Sequence, residues 1–253
     1  LSAAACNGVV LNTGDVFSYN ATTGQRTTAK GYQAAPAYVQ GETVDEGGGG
    51  VCQTSSTLYY ACLRSNLEIT ERYAHRYVPA YIDWGMDATV SWGGPDYKFT
   101  NNTNYPIKIV ATYSGGYLTI KILGTNVDGT SVKMTNEVLS STPWETVYKD
   151  DETLPAGTEK VTTTPYTGYK VKSYRNVYDA NGKLISSTYE ATSDYKVRNK
   201  VISRGPALPE TPASGGAEIT EPQDPVAQEP QTPSEPQQGD GSTIIVVTPK
   251  EPQ

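Results

Sequence analysis

The chain has 253 residues, which is enough for one large domain or two domains of ordinary size. Its formal net charge of −7 lies entirely in residues 206–253, where eight acidic residues face a single lysine, so the rest of the chain is neutral overall. No basic surface is encoded, which argues against nucleic-acid binding. A single histidine and the lack of paired cysteine motifs argue against a zinc site, and we predict no metal and no cofactor.

Residues 1–127 predict an α+β domain, because one or two helix patterns precede a run of strand patterns. The stretch 2–7 predicts a short helix that ends at Gly8. Alternating apolar residues between glycine- and asparagine-rich turns predict strands at 9–11, 16–19, 38–42, 67–73, 78–82, 88–92, 97–100, 107–112 and 117–123.

The clearest helix of the chain is predicted over residues 54–65. Leu58, Ala61, Cys62 and Leu63 recur at helical spacing and form one apolar face, and Asn66 is a suitable stop. Four glycines, at 47–50, precede this helix and place Cys52 beside its start.

Residues 128–205 predict an extended all-β module with no helix. A hairpin is predicted between 174–178 and 184–189, because Asn181-Gly182 is the strongest two-residue turn signal. Few large apolar residues are present, so we expect a flat module that packs little. Residues 206–253 hold 10 of the 17 prolines and predict a disordered tail, in which 244–247 is either a docking strand or the start of a following segment.

Cys52 is the candidate nucleophile. A cysteine becomes reactive when its pKa is lowered, and a helix N-terminus or a nearby imidazolium does this. His75 is the only imidazole of the chain, and Asp87 or Asp83 would orient it. The backbone N–H groups of Cys52 and Gln53 would then form part of an oxyanion site.

Five further residues are predicted to contact substrate around this centre. They are Gly49, Gly50, Gln53, Ser55 and Arg72. Glycines give backbone N–H groups an open approach, and an arginine could hold a carboxylate.

The alternative is structural. A free cysteine is commonly buried and inert, and a single histidine often completes a polar network. Ser55 and Ser56 could cap the helix, and Arg72 could form an ordinary ion pair. Cys6 could form a disulfide with Cys62 in an oxidising compartment and leave Cys52 free.

Several ordered phrases of the first 125 residues resemble the VanW domain family. They are GDVFSYN at 14–20, GGGVCQTSSTLY at 48–59, LEITER at 67–72 with His75, GMDATV at 85–90 and PDYKFTNN at 95–102. The resemblance implies a bacterial, usually Gram-positive, cell-envelope protein located outside the cell, and it specifies no reaction.

Residues from about 131 to 205 resemble a G5 domain. The matching positions are YKDD at 148–151, LPAG at 154–157, Gly168, Asn181-Gly182 and Gly205, while Thr164 stands where a fifth glycine is expected. The resemblance implies an adhesive spacer that binds cell-wall glycan.

Two functions remain open from the sequence. The first is a cell-envelope protein that binds or remodels peptidoglycan, with a Cys–His centre for acyl transfer or amide hydrolysis. The second is a non-enzymatic adhesion or scaffold protein that binds glycan through the G5-like module. Because the chain begins at Leu1 without a charged or apolar leader, we expect a piece of a longer precursor. Any membrane contact would then come through an anchor outside this segment, and the sequence gives no oligomeric state.

Overall fold

The computed structural model describes residues 1–39, 42–47, 50–208 and 243–247, with side chains over 1–33 and 50–208. The first part contains three α-helices, a 3-10 turn and eight strands. They are α1 Ser2–Cys6, β1 Val10–Leu11, β2 Val16–Ser18, α2 Tyr19–Thr23, the turn Thr28–Lys30, β3 Ala34–Val39, β4 Glu42–Gly47, α3 Val51–Arg64, β5 Glu68–Glu71, β6 Lys98–Thr100, β7 Ile107–Ser114 and β8 Tyr117–Leu123.

The second part is all-β. Its strands are β9 Ser131–Thr142, β10 Thr146–Asp150, β11 Glu159–Thr163, β12 Gly168–Tyr178, β13 Leu184–Tyr195 and β14 Lys200–Arg204. The predicted fold class, an α+β domain followed by an all-β module, is confirmed. The predicted disordered tail lies largely outside the described residues, and within it β15 Thr243–Val247 pairs antiparallel with β8, as a docking strand would.

Helix α3 is the centre of the first domain. It packs against β8 of the antiparallel sheet β1-β7-β8-β15, and Ile109 and Ile120 of this sheet are fully buried in the same core as the apolar face of the helix. Each such buried aliphatic side chain contributes about 2 kcal/mol. The helix ends at Arg64 and is stopped by Asn66, which takes a left-handed φ of 56°, while the N–H of Leu67 bonds the carbonyl of Cys62 at 3.0 Å. This is a Schellman end, and it confirms Asn66 as the helix stop.

A second antiparallel sheet, β2-β6-β5, closes the other side of the core. The rings of Phe17 and Phe99 stack with centroids 5.0 Å apart across β2 and β6. Helix α2, which the sequence patterns did not indicate, follows β2 directly. Its N-cap is Ser18, whose hydroxyl accepts from the N–H of Ala21 at 3.1 Å.

Residues 72–97 form a long irregular segment between β5 and β6. The strands predicted at 78–82 and 88–92 are wrong, because neither stretch pairs with a neighbouring strand, and side chains hold part of the second. Ser55 and Ser56 on α3 bond both backbone groups of Ala88, and Asn20 bonds the carbonyls of Ser91 and Pro95. The alternation of buried residues that imitates a strand arises because an extended chain lies on α3. The strand predicted at 38–42 is also revised, since β3 and β4 pair as a hairpin there, with 40 and 41 outside the described residues.

The second part contains two three-stranded sheets, β13-β12-β9 and β10-β14-β11. The predicted hairpin is confirmed: β12 pairs antiparallel with β13 around a turn in which Gly182 has a φ of 78°. The expectation that this part packs little is wrong for the first sheet, which lies against the first domain. Arg175 of β12 donates to the carbonyl oxygen of Leu67 at 2.8 Å, and Tyr169 packs on Trp84 with ring centroids 4.4 Å apart.

Candidate functional site

Cys52 lies in the first turn of α3. Gly50 is the N-cap and takes a left-handed φ of 76°, which a residue with a side chain rarely adopts. This turn lets the chain enter the helix with Cys52 half-buried at its open end. The Cys52 sulfur lies 3.5 Å from the carbonyl oxygen of Val90 and 3.7 Å from the hydroxyl of Thr89. The carbonyl can accept from a thiol, and the hydroxyl can donate to a thiolate.

His75 and Asp87 meet next to this sulfur, on the segment 72–97. The Nδ1 atom of His75 lies 2.7 Å from Oδ2 of Asp87, and the backbone N–H of His75 donates to the same oxygen at 2.7 Å. Burial raises the pKa of Asp87, but bonds from His75 and the charge of Arg72 outweigh it and lower the pKa to about 2. The carboxylate is therefore ionised and accepts, so Nδ1 carries a proton and Nε2 is the atom left to serve the sulfur.

Cys52 and His75 favour their charged forms together. Burial raises the pKa of Cys52, but the hydrogen bond and charge of His75 outweigh it and lower the pKa below the ordinary 9.0. Burial would lower the pKa of His75, but the bonds to Asp87 and Cys52 raise it to about 9. Each partner therefore stabilises the charged form of the other.

Asp87 is fully buried, and its second oxygen is held from two directions. Nη2 of Arg72 donates to Oδ1 at 2.9 Å, and the hydroxyl of Tyr195 donates to it at 2.5 Å. Arg72 also donates to the Asp87 carbonyl at 2.6 Å and to the hydroxyl of Ser193 at 2.9 Å. Ser193 and Tyr195 lie on β13, so the second domain contributes to this centre.

Tyr81 is a further residue at the site that the sequence patterns did not indicate. Its hydroxyl lies 3.3 Å from Nε2 of His75 and 3.4 Å from the hydroxyl of Ser56. Burial raises the pKa of Tyr81, so the phenol keeps its proton and can donate to a neutral Nε2. Only its closeness to the histidine in sequence could have drawn attention to it.

Two of the predicted substrate contacts do not fit the structure. Ser55 is fully buried, and its hydroxyl donates to the carbonyls of Ala88 at 2.6 Å and Cys52 at 3.1 Å. It therefore ties the segment 72–97 to α3 and neither reaches substrate nor caps the helix. Arg72 does bind a carboxylate, but that carboxylate is Asp87, and the arginine side chain is only 6% exposed.

The other predicted contacts lie at the start of α3. Gly50 is exposed and Gln53 is half-buried in the first turn, whereas Gly49 lies outside the described residues. The first N–H groups of any helix have no partner within it, so those of Cys52 and Gln53 face the same open end as the sulfur. Asp83, the alternative carboxylate, is half-buried, and the carboxylate that bonds His75 is Asp87.

A groove of about 380 Å³ opens beside this centre, at the junction of β5 and β13. It is lined by Tyr59, residues 69–74 and residues 190–192. Neither Cys52 nor His75 lines it, so the groove is separate from the approach to the sulfur.

Cys6 and Cys62 are free thiols, as is Cys52. The disulfide considered between them is absent from the described structure. Both are buried, and burial raises the pKa of each to about 12. Cys52 is thus set apart from the other two thiols by exposure and by the direction of its pKa shift.

Fold and site together define an α+β domain that carries a Cys–His–Asp constellation at the start of its central helix, followed by an all-β module. The family comparisons give the same division. Residues 1–123 match the family described as VanW like protein, and residues 130–207 match the G5 domain family. The chain therefore carries a VanW domain followed by a G5 domain.

Two curated relatives match the chain. The uncharacterized protein YoaR of Bacillus subtilis (strain 168) is 42% identical over 145 residues, which cover 57% of this chain and 48% of that protein. The vancomycin B-type resistance protein VanW of Enterococcus faecalis (strain ATCC 700802 / V583) is 29% identical over 117 residues, which cover 44% and 42%. The chain thus spans less than half the length of these relatives.

Among solved structures, the G5 domain of IgA1 protease is 16% identical with a TM-score of 0.22, covering 31% of this chain and 94% of that chain. The structure titled HP0197-G5 is 20% identical with a TM-score of 0.18, covering 30% of this chain and 97% of that chain.

No helix within the described residues is long and apolar enough to cross a membrane.

Proposed function

We propose that the VanW domain is a cysteine-dependent acyl-transfer enzyme that cleaves or exchanges amide bonds in the peptides of bacterial peptidoglycan. The observation that carries the proposal is the Cys52–His75 pair, whose Nδ1 is held 2.7 Å from the buried carboxylate of Asp87. Cys52 would be the nucleophile, His75 the general base and Asp87 the carboxylate that orients the base. Cysteine hydrolases on unrelated folds use the same three roles.

The first half-reaction would form a thioester. The Cys52 thiolate attacks the carbonyl carbon of the substrate amide, and the oxyanion is stabilised by the N–H groups of Cys52 and Gln53. Nε2–H of His75 then protonates the departing nitrogen as the C–N bond breaks. The products are an amine and an acyl-enzyme, and His75 is neutral.

The second half-reaction would release the acyl group. Nε2 of His75 removes a proton from water or from a second amine, which attacks the thioester carbonyl. The C–S bond breaks, the thiolate returns, and His75 is again an imidazolium. Water gives hydrolysis, whereas an amine gives a new cross-link.

The substrate class follows from the kind of protein. The VanW and G5 domains and the VanW and YoaR relatives support a cell-wall-associated protein. We place it outside the cell, in the envelope of a Gram-positive bacterium. Peptidoglycan is rich in amide bonds there and is the acyl-transfer substrate that this setting offers.

A second function, non-enzymatic glycan binding, is favoured by one feature of the G5 domain. Tyr148 of β10 is 48% exposed, and the guanidinium of Arg204 lies 3.3 Å from its ring centroid. Arg204 lies over one face of this ring, and the exposed part of the ring with its hydroxyl would contact the sugar. This module would then serve as a cell-wall anchor, with or without catalysis in the first domain.

The proposal is tested by the reactivity of the Cys52 thiol. Alkylation by iodoacetamide is measured against pH for the wild type and for His75→Ala, with modified residues identified by mass spectrometry. We expect the wild-type midpoint to lie well below that of an ordinary thiol, and the His75→Ala midpoint to rise. Buried Cys6 and Cys62 are built-in controls and should stay unmodified in the folded protein.

Substrate turnover is tested with purified peptidoglycan. Wild-type protein should change the muropeptide pattern, and Cys52→Ala should leave it unchanged while still sedimenting with the wall. An unaltered pattern with an ordinary thiol midpoint would leave glycan binding as the function, and binding should then weaken in Tyr148→Ala.

A further inference from the structure

The partners of Asp87 come from both domains. The match to the VanW family ends at residue 123, yet Ser193 and Tyr195 lie beyond it on β13. Both side chains are almost fully buried; Tyr195 bonds the carboxylate of Asp87 directly, and Ser193 bonds Arg72, which holds the same carboxylate. The first domain alone therefore does not contain every group that bonds its candidate catalytic centre.

The Tyr195 hydroxyl joins two points of the irregular segment at once. It donates to Oδ1 of Asp87 at 2.5 Å and accepts from the N–H of Gly85 at 2.7 Å. These two contacts fix the turn 85–87 relative to β13. Ser193 lies two residues earlier on the same strand. Its hydroxyl accepts from Nη1 of Arg72 at 2.9 Å.

We propose that Tyr195 of the G5 domain is a positioning residue for Asp87, so that the docked G5 domain completes the Cys–His–Asp site of the VanW domain. The inference rests on the function proposed above. Tyr195 touches no reacting atom, and it acts through the carboxylate that orients His75.

Docking of the two domains does not depend on this hydroxyl. Arg175 bonds the connection between α3 and β5 through the carbonyl of Leu67, and Tyr169 packs on Trp84. The backbone N–H of Lys196 also donates to the carbonyl of Arg76 at 2.7 Å. Removing one hydroxyl therefore perturbs the turn 85–87 while the interface remains.

Two effects of removing the hydroxyl oppose each other. By charge alone, a carboxylate that loses a donor becomes a better partner for His75. By geometry, both Oδ1 of Asp87 and the N–H of Gly85 lose a buried partner, and the turn must shift or admit water to satisfy them. The geometric effect wins here, because this one hydroxyl bonds both ends of the turn 85–87, whereas backbone bonds of the segment such as Thr89 to Tyr73 and Lys196 to Arg76 lie outside that turn.

The test compares Tyr195→Phe with Tyr189→Phe in the full chain. Tyr189 is on the same strand, is 57% exposed and bonds Thr192, so it controls for loss of a tyrosine hydroxyl from β13. We expect Tyr195→Phe to raise the midpoint of Cys52 alkylation by about one pH unit, which lowers the rate below the midpoint about tenfold. Ser193→Ala should shift it in the same direction by less, and Tyr189→Phe should not shift it.

The outcomes separate this inference from the proposed function. A Tyr195→Phe profile that overlays the wild type, or moves to lower pH, overturns the positioning role. If thermal stability falls while the midpoint stays, Tyr195 is structural only, which also overturns it. A wild-type midpoint that is already ordinary and insensitive to His75→Ala refutes the proposed function itself.

Discussion

Replacing Asp87 by asparagine tests the electrostatic core of the site. In the wild type, the pKa of His75 is raised from 6.5 to about 9, although burial works in the opposite direction. That shift corresponds to about 3 kcal/mol of preference for the imidazolium. Asp87 contributes the largest share, through its hydrogen bond and its charge, so most of this preference should vanish in the variant.

The side-chain amide of the Asp87→Asn variant cannot serve all the donors that the carboxylate serves. If the amide oxygen faces His75, the NH₂ group faces the guanidinium of Arg72, and two donors meet. If the NH₂ group faces His75, the backbone N–H of that histidine loses its acceptor, and Nδ1 must become an acceptor. The second orientation removes the tautomer that presents a usable Nε2, whereas the first keeps that tautomer but sets two donors against each other at Arg72.

The assay is an NMR titration of the single imidazole, which needs no assignment because the chain has one histidine. We expect a wild-type midpoint near 9 and an Asp87→Asn midpoint at or below 6.5. Asp83→Asn is the matched control, since this half-buried carboxylate is not the one that bonds His75. A wild-type midpoint near 6.5, or equal shifts in the two variants, would refute the reasoning.

Three further predictions concern stability. Folding lowers the pKa of Asp87 from 3.8 to about 2, so this group contributes about 2 kcal/mol of stability above pH 3.8 and loses it as the pH falls through 2. In Asp87→Asn, the free energy of unfolding measured with denaturant should therefore fall less steeply with acid than in the wild type. Arg175→Ala should lower the free energy of unfolding by about 3 kcal/mol, because it leaves the carbonyl of Leu67 and the carboxylate of Glu190 unpaired at the domain junction. The control is Lys170→Ala, an exposed residue on the same strand, which should cost under about 0.5 kcal/mol. Equal losses in the two variants would contradict this reasoning. Gly50→Ala should cost about 1 kcal/mol from its left-handed φ alone, since no atom lies within 4 Å of the added carbon, and a neutral or stabilising result by thermal unfolding would exclude that strain.

Local patterns predicted the elements whose causes are local. Helix α3 follows from apolar residues at helical spacing, and its stop at Asn66 follows from the tolerance of asparagine for left-handed backbone. The β12–β13 hairpin follows from Asn181-Gly182 in the same way. In each case the residues that decide the structure lie within a few positions of one another.

The errors lie where distant contacts decide the structure. The segment 72–97 alternates like a strand but is held by Ser55, Ser56 and Asn20, which a local pattern cannot reveal. Arginine is a residue type that often binds carboxylate ligands, and only the fold reveals that the carboxylate bound by Arg72 is that of Asp87. The nearness of Ser55 to Cys52 in sequence predicts a substrate contact, but Ser55 lies on the side of the helix that faces the core.

The contribution of Tyr195 was out of reach of any local pattern. It bonds Asp87, which lies 108 residues earlier in the sequence. It also belongs to a module whose few large apolar residues predict loose packing. Tyrosines are also so frequent in this chain, with 19 of them, that residue type alone singles out none.

Because these contacts join residues far apart in the sequence, the pKa of Cys52 also reports how far folding has progressed. Helix α3 can form from neighbouring residues alone, but His75 lies 23 positions beyond Cys52, and Tyr195 bonds Asp87 only after β13 has docked. Contacts of high sequence separation form late, because their loop-closure entropy must be overcome first. A chain arrested before docking would lack the bond from Tyr195 to Asp87 and would hold Cys52 at a higher pKa, so the fall of that pKa during refolding would time the arrival of the second domain.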